Sequence, residues 1–349
     1  MSQRAPSVSS KSARKKRAVF GKALTYIVLS LWALVCLFPL YWLAVTSLKG
    51  ASEIMGGPFY LPFVDFVPSL EAWAFVLLDS NQNLVLQYFN SVVAGLTSTL
   101  LTLFLGAFAA YGLTRFRYTL PWTGLALGLL AAVLTASAIF VGASWLRFFF
   151  AILSVLLLVL ATRLKTREPA LHNHSILVAI LATRILPPIV LVVPIFLMAQ
   201  YTGTLDTLFA LIFTYTATNL PVAVWLLLPI FAGIAIDHEE AAQLDGASRL
   251  RIFFTIFLPM VAGGIAAVGV LIFILCWTEY LFSAYLAGNP ATTLPAWVVG
   301  QMSVREAQVG GDADEWAHLS AAILLMIAPL LACTVLAQRF LGRMVLRRQ

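Results

Sequence analysis

The chain has 349 residues, of which 61% are hydrophobic and only 11% charged, and its mean hydropathy is +0.93. Soluble domains carry roughly 45–50% apolar and about 25% charged residues, so a water-soluble enzyme, a disordered chain and a disulfide-stapled secreted domain are excluded. The net charge of +7 would suggest nucleic acid on a soluble chain; on a membrane chain it reports orientation.

The first 22 residues are polar and basic (Arg4, Lys11, Arg14, Lys15, Lys16, Arg17, Lys22) and read as a disordered cytoplasmic tail. The apolar run behind them, 23–47, is too long for a signal-peptide core and lacks a clean small-residue cleavage site, so it reads as a retained first span. Residues 48–86, with Pro58, Pro62, Pro68 and several acids, read as an external loop with short interfacial helices. A second span, 87–113, stops at Arg115 and Arg117. A third covers 120–141; a short fourth, 146–162, stops at Arg163, Lys165 and Arg167, with Trp145 and Arg147 anchoring its outer end. The fifth, 175–201, contains Pro187, Pro188 and Pro194, and the sixth, 207–236, contains Pro221 and Pro229. A polar break follows, then a seventh span (259–286), a polar external loop (287–316) and an eighth span (317–340). Runs this long must be helical, because lipid cannot satisfy backbone polar groups. The expected fold is therefore all-α and polytopic, with about eight spans. Cys36, Cys276 and Cys333 all lie in apolar runs and read as small packing residues.

Eight crossings put both termini on one side. All but four of the 22 Lys and Arg residues fall on that side or in its loops; the exceptions are Lys49, Arg147, Arg305 and the intramembrane Arg184. This bias predicts that both termini are cytoplasmic. The chain divides into a basic tail (1–22), two spans with an external loop (23–118), an inserted helical pair (119–173), the core spans with a polar loop at 237–258 (174–341), and a second basic tail (342–349).

The polar break reads as a short helix, a turn and a second helix. Asp237 is placed to cap the first helix, with Glu240 completing a capping-box-like pair. Ala241 and Ala242 offer a small-residue face, and Gly246 can end the helix in a left-handed backbone. Arg249 and Arg251 fall in the second helix, and Pro259 marks entry to the next span. By these residues alone the break is a cytoplasmic helical hairpin.

The run Glu240-Ala241-Ala242, then Asp245-Gly246-Ala247, then Ile256-Phe257-Leu258-Pro259 resembles the coupling loop of bacterial binding-protein-dependent ABC importer permeases. In that family the loop docks into a cleft of a cytoplasmic ATPase subunit. Further stretches are similar to the carbohydrate, maltose-type branch. These are Asn90-Ser91, the run Ala110-Tyr111-Gly112-Leu113-Thr114-Arg115-Phe116-Arg117, Leu186-Pro187-Pro188, Val193-Pro194, Gly203-Thr204-Leu205-Asp206-Thr207, Asn219-Leu220-Pro221 and Trp277-Thr278-Glu279-Tyr280-Leu281-Phe282. The resemblance covers 22–118 and 174–341. It implies a six-span permease core in the bacterial inner (plasma) membrane and a sugar or sugar-like solute. It also implies a second permease subunit, an extracytoplasmic solute-binding protein and two ATPase subunits that bind ATP and Mg, with no cofactor in this chain. Coupling to the ATPase would fall on Glu239, Glu240, Ala241, Ala242, Asp245, Gly246 and Ala247.

Three departures from that pattern stand out. Residues 119–173 have no counterpart and read as two extra helices against lipid or an accessory partner. Ile234-Ala235-Ile236 stands where a proline usually precedes Glu-Ala-Ala. The ending at Gln349 lacks the branch's Gly-Ala-Val-Lys-Gly-like tail, which leaves a C-terminal contact with the ATPase open.

The chain has no phosphate loop: Gly21-Lys22 precedes Ala23 and lacks the upstream glycine, so ATP hydrolysis is expected elsewhere and this chain is not an enzyme. His238-Glu239 is not a zinc motif, because Ala242 stands where the second histidine belongs, and no metal site is expected at His172 and His174. A charge inside a span is costly and marks a cavity or a partner. Arg184, Asn219, Trp277, Glu279 and Tyr280 are therefore candidates for a path that presents hydrogen bonds and ring faces to a polyhydroxyl solute. The competing reading is that they fix helix packing through an ion pair or backbone bonds. Rival functions are a secondary transporter, which predicts inverted repeats and titratable pairs at midplane, and a membrane scaffold without an ATPase. Neither accounts for the polar hairpin.

Overall fold

The computed structural model describes residues 8–57, 59–78, 84–116, 120–121, 124, 126–128, 130–131, 133–134, 144–163, 170–171, 173–306 and 314–346. Two compact units are distinguished, 1–82 with 308–327, and 83–307 with 328–349.

In the first unit, α1 (Val8–Thr46) is a 39-residue helix. At ~1.5 Å per residue it is about 58 Å long, well beyond a hydrocarbon core of ~30 Å. The basic segment expected to be disordered is therefore helical from Val8 onward, since Ser, Ala, Lys and Arg oppose a helix only weakly. Every residue from Gly21 to Pro39 is exposed. After α1 the chain turns through α2 (Ala51–Gly56). Lys49 is buried with its ammonium over the rings of Trp42 and Phe66, 5.0 and 5.6 Å from their centroids. The Asp65 carboxylate accepts the backbone N–H groups of Tyr60 and Leu61, both at 2.9 Å. These two bonds hold its carboxyl below the ordinary range, Leu61 contributing most. In α3 (Glu71–Leu78) the Phe75 ring stacks 3.9 Å from the His318 ring.

The second unit is built on α4 (Leu84–Arg115), to which the helices Leu208–Ala232 and Leu258–Trp277 are packed. Next in order are α5 (Ser144–Arg163) and a two-residue antiparallel pairing of β1 (Leu120–Pro121) with β2 (Ala170–Leu171). The chain continues with α6 (Asn173–Ala182), α7 (Pro188–Thr202), α8 (Leu208–Ala232), α9 (Asp237–Leu244) and α10 (Arg249–Ile252). It ends with α11 (Leu258–Trp277), α12 (Leu281–Leu286), α13 (Leu294–Glu306) and α14 (Asp314–Leu346). Glycine lets α4 and α8 approach closely: a Cβ on Gly106 would lie 3.1 Å from the Ala223 Cβ. The buried centre is lined by Ala94, Ala107, Leu211, Tyr215, Leu227 and Ile272. An aromatic cluster, Tyr111, Phe231, Phe253 and Phe257, closes it at the Arg115 end of α4.

Among the described residues, five helices have the length and apolarity to cross a membrane, or six with the bent pair α6–α7. They coincide with six of the eight expected crossings. The other two fall in 119–173, where α5 occupies the fourth and most of the third lies outside the described residues. The protein is an all-α polytopic membrane protein.

Several expected elements are corrected. The fifth span is broken: Asn173–Ile185 and Pro188–Thr202 meet at 88°. Pro187 and Pro188 supply no N–H groups, and the residue before a proline is pushed out of helix; Leu186 is extended, with ψ 126°. Pro221 and Pro229, by contrast, lie inside α8. The seventh span stops at Trp277, and Thr278 to Tyr280 separate α11 from α12. The loop 287–316 contains α13, with Leu294, Ala296 and Val298 buried. Pro259 stands in the first turn of α11, and the helix is already formed before it. Arg249–Trp277 is one continuous helical run, with a π-helical segment at Phe253–Phe257.

Candidate functional site

The polar hairpin consists of α9, a turn and α10. Asp237 does not cap α9. Ile236 holds the cap position in helical conformation and Asp237 is already the first helical residue, where its charge still favours the positive end of the helix. The C-terminus of α9 ends as the sequence predicts. Gly246 has φ +80°, its N–H donates to Gln243 O (3.0 Å), and Ala247 N–H donates to Ala242 O (3.0 Å). This pair of bonds defines a Schellman end, which requires a left-handed residue. Ser248 then caps α10 by accepting the N–H of Arg251.

The expected joint face of Ala241 and Ala242 is split, because adjacent helical residues point about 100° apart. Ala242 is buried in the core cluster and Ala241 is exposed. The two acids part in the same way. Glu240 is exposed, together with Asp245 and Gly246, while Glu239 retains only 4% exposure. Leu244 and Leu250 stand exposed beside Glu240 and Asp245. The exposed residues of the hairpin thus include Leu244 and Leu250, the carboxylates of Asp237, Glu240 and Asp245, and the cations Arg249 and Arg251, with Ala247 half-buried.

Behind that surface, Glu239 collects donors from three helices. Its Oε1 accepts from Arg249 Nη1 at 2.9 Å, Gln243 Nε2 at 3.2 Å and the Tyr111 hydroxyl at 3.2 Å. Arg115 Nε lies 3.5 Å from its Oε2, an ion pair without hydrogen-bond geometry. Arg115 also donates through Nη2 to Ile234 O (2.7 Å) and Phe231 O (3.4 Å), carbonyls left over at the end of α8. Its guanidinium lies over the Phe257 ring, and that of Arg249 lies over Phe116. Tyr111, Arg115, Gln243 and Arg249 had not been assigned to this site. Tyr111 is 128 residues from Glu239 in the chain, and no local pattern pairs them.

The second candidate set gathers at two helix breaks. Arg184 lies in the 3₁₀ turn Thr183–Ile185 ahead of Leu186 and Pro187, and its Nη2 donates to Asn219 Oδ1 at 2.7 Å. Asn219 is buried and donates to Tyr215 O (2.9 Å) and Cys276 Sγ (3.3 Å). Glu279 lies in the break between α11 and α12, where its Oε1 accepts the N–H of Phe282 at 3.3 Å. Arg184 and Glu279 do not form an ion pair; among the described residues both ion pairs involve Glu239. Of the two aromatics expected to face solute, Trp277 is 1% exposed and packs against Tyr88 and Phe273; nearby Phe282 is buried as well. Trp277 is thus a core residue, and Gly95 of α4 leaves room for it and Phe273: a Cβ there would lie 3.8 Å from the Trp277 ring and 3.3 Å from that of Phe273. Tyr280 is exposed at the break. Asn90 and Ser91 pin the chain after α12: Asn90 Nδ2 donates to Pro290 O and Thr292 O, and Ser91 Oγ accepts from Leu294 N–H.

Helices broken beside polar side chains, among spans long enough to cross a membrane, suit a membrane transport component. The family described as the binding-protein-dependent transport system inner membrane component matches residues 158–347, and this chain belongs to it. It is a permease subunit of an ABC importer and a multi-pass inner membrane protein. The chain is 28% identical over 319 residues to the sulfoquinovosyl glycerol transport system permease protein of Agrobacterium fabrum, covering 91% of this chain and 90% of that one. It is 25% identical over 327 residues to the trehalose/maltose transport system permease protein of Thermococcus litoralis, covering 93% and 95%. A crystal structure of a bacterial ABC transporter involved in import of the acidic polysaccharide alginate superimposes with TM-score 0.59 over 97% of this chain and 99% of that chain. At 18% identity that likeness speaks for the fold alone.

Proposed function

We propose that this permease imports a sugar or sugar-like solute together with a second permease subunit, two ATPase subunits and an extracytoplasmic solute-binding protein. The ATPase subunits bind ATP and Mg and grip the hairpin from the cytoplasm. The observation that carries this reading is a hairpin that exposes Leu244 and Leu250 among the charged Glu240, Asp245, Arg249 and Arg251, while Glu239 is held inside. Exposed leucines ringed by charge suit a protein cleft. The likeness to trehalose/maltose and sulfoquinovosyl glycerol transport permeases supports the solute class.

Along the path, Arg184 and Tyr280 are the exposed members and meet solute hydroxyls; Asn219 orients Arg184, and Glu279 holds the α11–α12 break. ATP binding draws the ATPase subunits together, the hairpins follow, and the cavity changes from inward to outward facing.

The test is co-purification and uptake. The wild-type chain is expected to carry an ATPase subunit through purification. Glu240→Lys, which inverts an exposed charge, and Gly246→Pro, which removes an N–H donor and cannot adopt φ +80°, are expected to abolish uptake without loss of the chain from the membrane. Wild-type uptake by either variant at matched expression, or transport by the chain alone, refutes the docking role.

A further inference from the structure

We propose that Glu239 is a positioning residue that locks the hairpin to the Arg115 end of α4, so that motion imposed on the hairpin is delivered to that helix. This rests on reading the hairpin as the ATPase handle.

Two side chains of α9 reach the interior, Ala242 and Glu239. α9 has eight residues and α10 has four, and α9 is separated from α8 by the turn at 233–236. α10 continues into α11 as one helical run, but the turn at 233–236 by itself would let α9 shift against α4 and α8. One buried carboxylate removes that freedom. It joins α9 through Gln243, α10 through Arg249, and α4 through Tyr111 and Arg115. Arg115 extends the link to α8 through the carbonyls of Phe231 and Ile234. The Tyr111 ring packs 5.2 and 5.1 Å from the Phe253 and Phe257 rings, which ties in the π-helical segment that leads into α11.

Burial also separates the two neighbouring acids by task. A side chain with 4% exposure that already receives three hydrogen bonds and an ion pair is closed to a partner subunit, whereas Glu240 beside it is open. A charge held by several donors in a low-dielectric site resists local rearrangement. The cluster therefore moves as one body or not at all. Glu239 thus acts within the chain and Glu240 between chains.

The test is amide hydrogen exchange on the assembled transporter, with and without ATP, Mg and vanadate as probes. In the wild type, trapping with nucleotide is expected to change exchange in the hairpin (237–252) and at the end of α4 (108–116) together. In Glu239→Ala the hairpin still responds, but the nucleotide-dependent change at 108–116 falls about fivefold or more, as for loss of an ordinary coupling between sites. Glu239→Gln, which keeps an oxygen acceptor, recovers part of it. Tyr111→Phe, which removes one hydroxyl and keeps the ring, gives a smaller loss in the same direction and carries the test should the alanine variant fail to assemble. A merely structural role would alter the amount of transporter and leave this nucleotide-dependent difference unchanged. An undiminished response of α4 in these variants overturns the proposal. So does loss of the ATPase from both Glu239→Ala and Tyr111→Phe, which would make the pair docking contacts. Failure of the docking reading is seen separately, as a wild-type hairpin that does not respond to nucleotide.

Discussion

At position 239 a carboxylate is buried among two guanidinium groups, an amide and a phenol, and its immediate neighbour at 240 faces outward. Their sequence environments are nearly the same, and the energetic consequences are opposite. Removing one member of a buried ion pair leaves its partner charged and desolvated, a loss of about 3–5 kcal/mol. Arg115→Ala is expected to destabilise the protein by that amount in a detergent unfolding titration, because Arg115 is 6% exposed and also satisfies two carbonyls. Arg249→Gln is expected to lose less than about 1 kcal/mol in the same titration, since Arg249 keeps 52% exposure and its charge is screened. Equal losses would contradict the asymmetry. Asp65 gives a pH dependence of its own. Its folded-state pKa is lowered by the N–H groups of Leu61 and Tyr60, so the turn is supported above the ordinary carboxylate value and loses that support as pH falls through the lower folded value. Amide exchange at Tyr60 and Leu61 should accelerate with acid beyond its intrinsic pH trend; Asp65→Asn, which cannot ionise, should remove that extra dependence.

The elements obey local chemistry where neighbours in sequence are the ones that interact. Gly246 ends α9 because a left-handed residue is required there, and Pro187-Pro188 breaks the α6–α7 pair because two N–H groups are missing. Both signals are readable by eye. Pro221 is not readable in the same way: α8 passes through it unbroken, since packing against α4 outweighs the missing hydrogen bond. The same packing makes a prediction. A Cβ at Gly106 already meets Ala223 at 3.1 Å, so Gly106→Leu must separate α4 from α8. Overpacking of this kind destabilises by about 1–3 kcal/mol. Lowered thermal stability is expected, with partial recovery in Gly106→Leu/Ala223→Gly, which vacates the facing position. An unchanged melting profile for the single variant would deny the close approach.

For the molecule as a whole, composition decided the solvent and the apolar runs located the spans, because every buried backbone group in lipid must be bonded within its own helix. The hairpin between the sixth and seventh runs was equally visible as a polar interruption with a glycine stop, and its residues carried the family likeness that the relatives bear out. Chain-distant contacts were not visible. That Trp277 is core and Tyr280 is open, that Glu279 bonds to the Phe282 N–H without pairing to Arg184, and that Glu239 rather than Glu240 is held inside all depend on which surfaces meet. Periodicity and spacing describe a residue relative to its own helix. A hydrogen bond across 128 positions exists only once the helices are packed, and so the tertiary structure alone decided which polar groups are spent inside the subunit and which remain for its partners.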